Sequence, residues 1–166
     1  MSVMTMYKKI LVGVDGSPQG AKALETAVKL AQTFKADLFV FHAIRHHFQL
    51  PVFPLTMDLS HQTPMLDVGI SDDKLQQYYE ESGRQIIEQA KLQVAALKVK
   101  LDGKVTYALE TTLSPADYAE DFAKTNKVDL IVLGCLGHHS RAKKILLGTV
   151  ANKITNRAPC QVLIVR

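Results

Sequence analysis

Glycine and threonine residues after an apolar segment form the clearest candidate binding site in this sequence. Gly134 and Gly137 follow the apolar run 129–133, and Gly148 and Thr149 lie near the start of ILLGTVANKITN, which has the pattern of a helix. Glycine lets a ligand approach the backbone closely, and free N–H groups at a helix N-terminus attract phosphate. The spacing therefore predicts an anion site between two separated glycine clusters, with the threonine hydroxyl as a further donor.

An acidic residue, Asp15, follows the first predicted strand, 8–14, in the sequence VDGSP. This turn lacks the G-x-G-x-x-G pattern, and a carboxylate there would repel a phosphate. We therefore expect Asp15 to accept hydrogen bonds from a ribose hydroxyl or an adenine amino group, while the glycine clusters and Thr149 bind the phosphates. The alternative is that Asp15 is only a turn or capping acid.

A basic loop, HHSRAKK, separates the two glycine clusters. Its cationic side chains are suited to neutralising a triphosphate, and Arg141 offers paired donors; the alternative is a solvated loop. The basic residues are His138, His139, Arg141, Lys143 and Lys144. The adjacent histidine pairs lack the i, i+4 spacing of helical metal ligands, so we expect no dedicated metal site and Mg²⁺ only through nucleotide phosphates.

No nucleophile and base pair stands out, because G-x-S-x-G and the P-loop pattern are both missing from the sequence. Without a base to orient water, nucleotide hydrolysis should be slow or absent, and we expect no catalytic residues. Cys135 and Cys160 form neither a disulfide framework nor a zinc pattern. We expect both thiols to be inert, with a redox-sensing role for Cys135 as the alternative.

Strands and helices alternate along the chain, which predicts a doubly wound α/β fold in a single domain, 1–166. Ser17 and Ser114 each precede a proline and are predicted N-caps, with Asp117 as a capping-box partner. The predicted strands are 8–14, 36–43, 104–109, 129–133 and 159–165. The predicted buried stripe of the long helix 71–98 is Leu75, Tyr79, Ile86, Ala90, Val94 and Leu97. An irregular insertion, 45–71, contains three prolines and is predicted to be a lid or a mobile insertion.

Composition excludes several classes of protein. Hydrophobic residues make up 47% of the chain and charged residues 22%, as in ordinary globular domains. The net charge of +4 is modest and the basic residues form no long stripe, so we expect no nucleic-acid partner. The N-terminal residues lack the apolar core of a signal peptide, and no apolar run reaches membrane-spanning length. We therefore expect a cytoplasmic protein without direct membrane insertion.

Four sequence motifs together resemble the universal stress protein family over nearly the whole chain: KILVGVDGS, DLIVLG-x-x-G, LLGTVANKI and PCQVLIVR. The resemblance implies an adenine nucleotide alpha hydrolase-like fold, with a five-stranded parallel sheet in the order 3-2-1-4-5 and helices on both faces. Strands one and four would then border the ligand crevice. It also implies ATP, ADP or AMP as the ligand. In family members that bind ATP, the residues matching Gly13, Ala43, Leu133 and Val150 line the site as well.

Two departures from the family pattern concern the site. The family has nine residues between its second and third signature glycines, and this chain has ten, 138–147. We expect the extra residue to bulge the HHSRAKK loop and to displace a phosphate-facing amide. Ala43 replaces a commonly larger valine, which predicts a looser adenine wall. A third departure, Leu113-Ser114-Pro115 where the family often has Gly-x-Pro, is expected to leave nucleotide binding unchanged.

The resemblance also suggests partners. In the family the last strand pairs with its two-fold mate, and we expect a homodimer through 161–165. The insertion resembles that of members that accompany TRAP-type solute transporters. The leading hypothesis is a regulatory, stress-response homodimer that binds ATP and whose nucleotide state controls a partner interaction. The alternatives are a nucleotide-free interaction protein and a very slow ATP hydrolase.

Overall fold

A computed structural model of the chain describes residues 6–45, 72–135 and 147–166. The strands are β1 (Lys9–Gly13), β2 (Asp37–Arg45), β3 (Val105–Thr112), β4 (Leu130–Gly134) and β5 (Gln161–Val165). The helices are α1 (Pro18–Phe34), α2 (Asp72–Ala96), α3 (Pro115–Asn126) and α4 (Thr149–Arg157). The strands form one parallel sheet in the order β3-β2-β1-β4-β5. The predicted fold class and strand order are confirmed.

Two hydrophobic cores cover the two faces of the sheet. Ile10 and Val12 of β1 pack with residues of α1 and α2, whereas Leu11 packs with residues of α3 and α4. Because successive side chains of a strand point to opposite faces, a strand covered on both sides must be apolar throughout. This explains the continuous apolar runs of the predicted strands. No helix in the described part of the chain has the length and apolar character needed to cross a membrane.

The N-caps of α1 and α3 follow the prediction, but the capping box does not. The Ser17 hydroxyl accepts a hydrogen bond from Gly20 N–H (3.0 Å), and the Ser114 hydroxyl accepts one from Asp117 N–H (3.3 Å). The Ser114 N–H bonds to Thr112 instead of Asp117, whose carboxylate pairs with Arg157 at 2.7 Å. Hydrogen bonds from the Ser114 hydroxyl and from Arg157 hold the pKa of Asp117 below its usual value.

The buried residues of α2 agree with the predicted stripe only in part. Ala90 is buried as predicted, and Gly83 and Ile87 are buried although they lie outside the predicted stripe. Ile86 is half-buried and packs against the same core. A Cβ at Gly83 would lie 2.7 Å from Leu109 Cδ1, so α2 lies directly against side chains of the sheet at this glycine. The remaining predicted stripe residues are half-buried and flank the contact: Leu75, Tyr79, Val94 and Leu97.

Several element ends differ from the predicted ones. β2 and β3 both extend further, because their pairing continues to Arg45 and Thr112. β5 begins later, at Gln161. α4 starts at Thr149, with Gly148 as its N-cap. Leu147 therefore precedes the helix, although the sequence pattern predicts that it is helical. Pairing with a neighbouring strand, rather than the local pattern, sets the strand ends.

Candidate functional site

The carboxyl ends of β1 and β4 lie side by side at the point where the chain direction around the sheet reverses. The register pairs Ile10 with Leu130 and Val12 with Val132. α1, which follows β1, covers one face of the sheet, and α4, which follows β4, covers the other. Connections that leave two neighbouring strands toward opposite faces open a crevice at the strand ends, where such sheets bind ligands.

Gly134, the last residue of β4, brings this strand end against the first turn of α1. A Cβ at Gly134 would lie 2.8 Å from the carbonyl carbon of Gln19 and 3.0 Å from its carbonyl oxygen. These are backbone atoms, so a side chain here would force the helix away from the strand. Gly134 therefore has a packing role in addition to the role expected in ligand binding.

Gly148 returns the chain to the strand end that it left after Gly134. Its N–H donates to the carbonyl of Cys135 (2.7 Å), while Cys135 N–H donates to the carbonyl of Val165 (2.8 Å). The first turn of α4 is thereby fixed at the carboxyl end of β4. Among the described residues, no side chain caps this helix, and the exposed Thr149 is its first residue. An N-terminus without a side-chain cap is suited to attract an anion.

Asp15 is oriented by the start of α1. Its Oδ1 atom accepts hydrogen bonds from Ser17 N–H (3.0 Å) and from the Ser17 hydroxyl (2.6 Å), and that hydroxyl accepts from Gly20 N–H. These contacts agree with the alternative in which Asp15 supports the helix cap. They also fix the carboxylate at the exit of β1, beside the crevice.

The four apolar positions implied by the resemblance lie toward one face. Ala43, Leu133 and Val150 all pack in the core formed with α3 and α4. A Cβ at Gly13 would lie 3.1 Å from Leu133 Cδ2, so Gly13 borders the same group. The structure thus brings together the ends of β1, β2 and β4 and the first turn of α4 on this side of the crevice.

Three predicted site residues, Gly137, His138 and Arg141, lie outside the described residues. Residues 46–71 of the predicted insertion lie outside them as well.

Within the described ranges, no three His, Cys, Asp or Glu side chains are placed to hold a metal ion. A groove of about 370 Å³ between β3 and α3 contains neither of the glycine clusters nor Asp15.

Cys135 is buried and Cys160 is half-buried. The Cys135 side chain is buried, and both of its backbone groups are hydrogen-bonded. Burial, with a smaller effect of Asp129, raises the pKa of the Cys160 thiol, which favours the unreactive protonated form. These environments agree with the expectation of inert thiols.

The sequence patterns missed two residues beside Asp15. A Cβ at Gly20 would lie 2.6 Å from Asp15 Oδ1, and the His42 ring lies 2.7 Å from the carbonyl of Val14. Glycine in the first turn of a helix weakens the helix, which signals a close contact. A histidine inside the largely apolar strand DLFVFHAIR signals a partly buried hydrogen bond. The sequence patterns point to the histidines only as metal or phosphate ligands.

Comparisons with known proteins agree with this architecture. A profile of the Universal stress protein family matches residues 6–166. Universal stress protein YxiE of Bacillus subtilis (strain 168) is 32% identical over 161 residues, which cover 97% of this chain and 100% of the relative.

Solved structures give the same result. Universal stress protein UspA from Lactobacillus plantarum is 26% identical with a TM-score of 0.73, and the match covers 96% of this chain and 98% of that one. A universal stress protein in complex with cAMP is 23% identical with a TM-score of 0.65, and the match covers 97% of this chain and 98% of that one. The chain belongs to the universal stress protein family.

Proposed function

We propose that this protein binds ATP and acts as a regulatory homodimer whose nucleotide state controls contact with a protein partner. The observation that supports this most is the hydrogen bond from Gly148 N–H to the Cys135 carbonyl (2.7 Å), since it sets the N-terminus of α4 beside Gly134. In the proposal, Gly134 and Gly148 let the phosphates approach the backbone closely, and Thr149 donates to them, because the Gly148 N–H is already bonded to Cys135. Gly137, His138 and Arg141 complete the phosphate site, and Mg²⁺ is bound through the phosphates.

The electrostatics favour α4 over α1 as the phosphate end of the crevice. The N-terminus of α1 is capped by Ser17, and the Asp15 carboxylate lies directly before it. The first turn of α4 contains no acidic residue, and its N-cap, Gly148, has no side chain. A phosphate is attracted by the positive end of a helix dipole and repelled by a neighbouring carboxylate. The sugar and base therefore belong on the Asp15 side in this proposal.

The base would lie against the apolar side of the crevice. Gly13, Ala43, Leu133 and Val150 offer backbone and small apolar surfaces there. Adenine requires such a flat apolar contact together with a few polar groups. The similar fold of a universal stress protein in complex with cAMP supports an adenine nucleotide as the ligand class. ADP and AMP fit the same part of the site.

The homodimer in this proposal uses β5 at the edge of the sheet. β5 pairs with β4 on one side only, and Val162, Leu163, Ile164 and Val165 are half-buried within one chain. An apolar edge strand invites pairing with a second copy about a two-fold axis. A TRAP-type solute transporter is the narrower proposal for the partner, and a pull-down from membranes with and without ATP would test it.

The second candidate function is a nucleotide-free interaction protein. Two observations favour it: the ten residues between Gly137 and Gly148 exceed the family spacing by one, and Asp15 Oδ1 is already bonded to Ser17. A very slow ATP hydrolase is a third form of the proposal. It requires turnover that is lost on replacing Asp15 or Gly134, and turnover that survives both changes indicates a contaminant.

Titration calorimetry with ATP and Mg²⁺ is the direct test of nucleotide binding. We expect saturable binding, and we expect nucleotide to be released when the purified protein is denatured. Absence of binding at millimolar ATP, with an intact dimer in sedimentation analysis, would support the nucleotide-free function instead.

Replacing Gly20 with alanine tests the site with little change in stability. The new Cβ would lie 2.6 Å from Asp15 Oδ1, so the carboxylate must move. Alanine favours the helix by about 1 kcal/mol, and the weakened Ser17 bonds cost about as much. We expect the free energy of unfolding to change by less than about 1 kcal/mol and ATP affinity to fall about fivefold.

Urea unfolding and calorimetry measure the two quantities for Gly20→Ala. Thr26→Ala is the matched control, because it changes helix propensity in α1 at a residue whose hydroxyl bonds only locally, to the carbonyl of Lys22. Equal ATP affinities for the two variants would contradict a role of the Asp15 carboxylate in binding.

A further inference from the structure

His42 forms a hydrogen bond that joins β2 to the turn carrying Asp15. Its Nδ1 atom lies 2.7 Å from the carbonyl oxygen of Val14. A carbonyl oxygen only accepts, so Nδ1 must carry the hydrogen. Both the neutral ring in this tautomer and the protonated ring provide that hydrogen, and the bond therefore persists in either charge state.

We propose that His42 is a positioning residue for nucleotide binding, which fixes the peptide between Val14 and Asp15 and through it the Asp15 carboxylate. This inference rests on the proposed function. It assigns to His42 a role at the crevice without contact to the nucleotide.

The position of Val14 explains why such a bond is needed. The register of β1 with β2 ends at the pair Gly13 and Phe41, so Val14 lies one residue beyond the paired strand. Its N–H still donates to the carbonyl of Phe41 (2.9 Å), and its own carbonyl accepts from His42. Both backbone groups of Val14 are thereby tied to β2.

Peptide planarity carries this constraint to Asp15. The Val14 carbonyl and the Asp15 N–H belong to one planar unit, so fixing the first atom fixes the direction in which the chain enters Asp15. On the other side, Ser17 N–H and the Ser17 hydroxyl hold Asp15 Oδ1. The carboxylate is therefore oriented from β2 through His42 and from α1 through Ser17.

The location of His42 in β2 separates it from the apolar side of the crevice. Phe41 and Ala43, its neighbours in sequence, pack in the core formed with α3 and α4. Side chains alternate along a strand, so His42 lies on the face of α1 and α2, together with Val40. The His42 ring therefore faces away from the apolar side of the crevice, and its hydrogen bond to the Val14 carbonyl links it to Asp15.

Three substitutions at His42 test the bond. His42→Asn retains an amide N–H donor at the δ position, His42→Gln moves that donor to the ε position, and His42→Leu removes it. We expect ATP affinity to fall about five- to tenfold for Leu and Gln and to stay within about twofold of wild type for Asn. Titration calorimetry measures ATP affinity, and urea unfolding shows whether each variant folds. If His42→Leu does not fold, the comparison of His42→Asn with His42→Gln still tests the bond.

A double-mutant cycle with Asp15→Ala separates positioning from general support of the fold. If His42 acts through Asp15, adding His42→Leu to Asp15→Ala causes no further loss of ATP affinity. Losses that multiply, or a Leu variant that binds like wild type, would overturn the inference and leave the proposed function intact. A wild-type protein that binds no adenine nucleotide would instead overturn the proposed function.

Discussion

Replacing Gly134 with alanine is expected to weaken ATP binding more than tenfold, whereas the same replacement at Gly103 is expected to leave the affinity unchanged. Both glycines lie against backbone. A Cβ at Gly134 would be 2.8 Å from the Gln19 carbonyl carbon, and one at Gly103 would be 2.8 Å from Asp37 N. Overpacking of this kind costs about 1–3 kcal/mol of folding free energy. Both variants should therefore be destabilised.

The two glycines differ in their place on the sheet. Gly134 ends β4 at the crevice, and its alanine variant must push the first turn of α1 away from β4 and disturb Asp15. Gly103 precedes β3 at the opposite, amino-terminal end of the sheet. The cost at Gly103 should be at least as large, because its Cβ also meets the carbonyl group of Ala36.

Urea unfolding and ATP titration well below the thermal midpoint distinguish the two effects. We expect both variants to lose stability, Gly103→Ala at least as much as Gly134→Ala, and only Gly134→Ala to lose affinity. If affinity falls in both variants in proportion to stability, the effect at Gly134 is one of partial unfolding. If neither variant loses affinity, Gly134 is a packing residue and the phosphate site must be sought elsewhere.

The parts of the fold that the sequence predicts best are those governed by local physics. Ser17 followed by Pro18 marks the start of α1 because the hydroxyl caps an N–H and proline needs no donor there. The apolar runs identify parallel strands because both faces are covered. The strand order came from the family resemblance, which carries long-range information that a short pattern does not contain.

Errors arose where a distant contact decides the outcome. Asp117 pairs with Arg157, forty residues away, so its local capping-box pattern did not determine its partner. The burial of Gly83 depends on the side chains of Ile44 and Leu109 beneath it, and no helical period predicts which neighbours lie there. The role of His42 also depends on a distant contact, because its acceptor, the Val14 carbonyl, lies just after β1.

The candidate site shows the same division. The strand order implied by the family resemblance predicted that Gly134, Gly148 and Asp15 border one crevice, and the structure brings the ends of their elements together. The contact of Gly134 with Gln19 and the engagement of Asp15 with Ser17 were not predictable from spacing, because each depends on how α1 lies across the sheet. Glycine and aspartate at this crevice therefore serve the packing of α1 as well as the proposed ligand.

Asp15→Ala is expected to reduce ATP affinity about tenfold to a hundredfold. In the proposed site the carboxylate accepts from a ribose hydroxyl or the adenine amino group, and hydrogen bonds to a charged group contribute about 1.5–3 kcal/mol. The variant also loses the bonds to Ser17, so the free energy of unfolding should fall by about 1 kcal/mol. Calorimetry and urea unfolding measure the two losses separately.

Asp15→Asn is the matched control, because its amide oxygen still accepts from Ser17 while the charge is removed. We expect its stability to be close to wild type and its affinity to lie between wild type and Asp15→Ala. If Asp15→Ala loses stability but binds ATP like wild type, Asp15 is a capping acid alone.

Nucleotide analogues decide which group Asp15 accepts from. 2′,3′-Dideoxyadenosine triphosphate lacks both ribose hydroxyls, and inosine triphosphate lacks the amino group. If Asp15 accepts from a group that an analogue lacks, replacing Asp15 removes no hydrogen bond to that analogue. The loss of affinity caused by Asp15→Ala should therefore vanish with one analogue and persist with the other. Vanishing with the dideoxy analogue assigns the carboxylate to the ribose, and vanishing with the inosine analogue assigns it to the base. A penalty that persists with both would mean that Asp15 acts on binding through the start of α1, where its bonds to Ser17 hold the helix against β4.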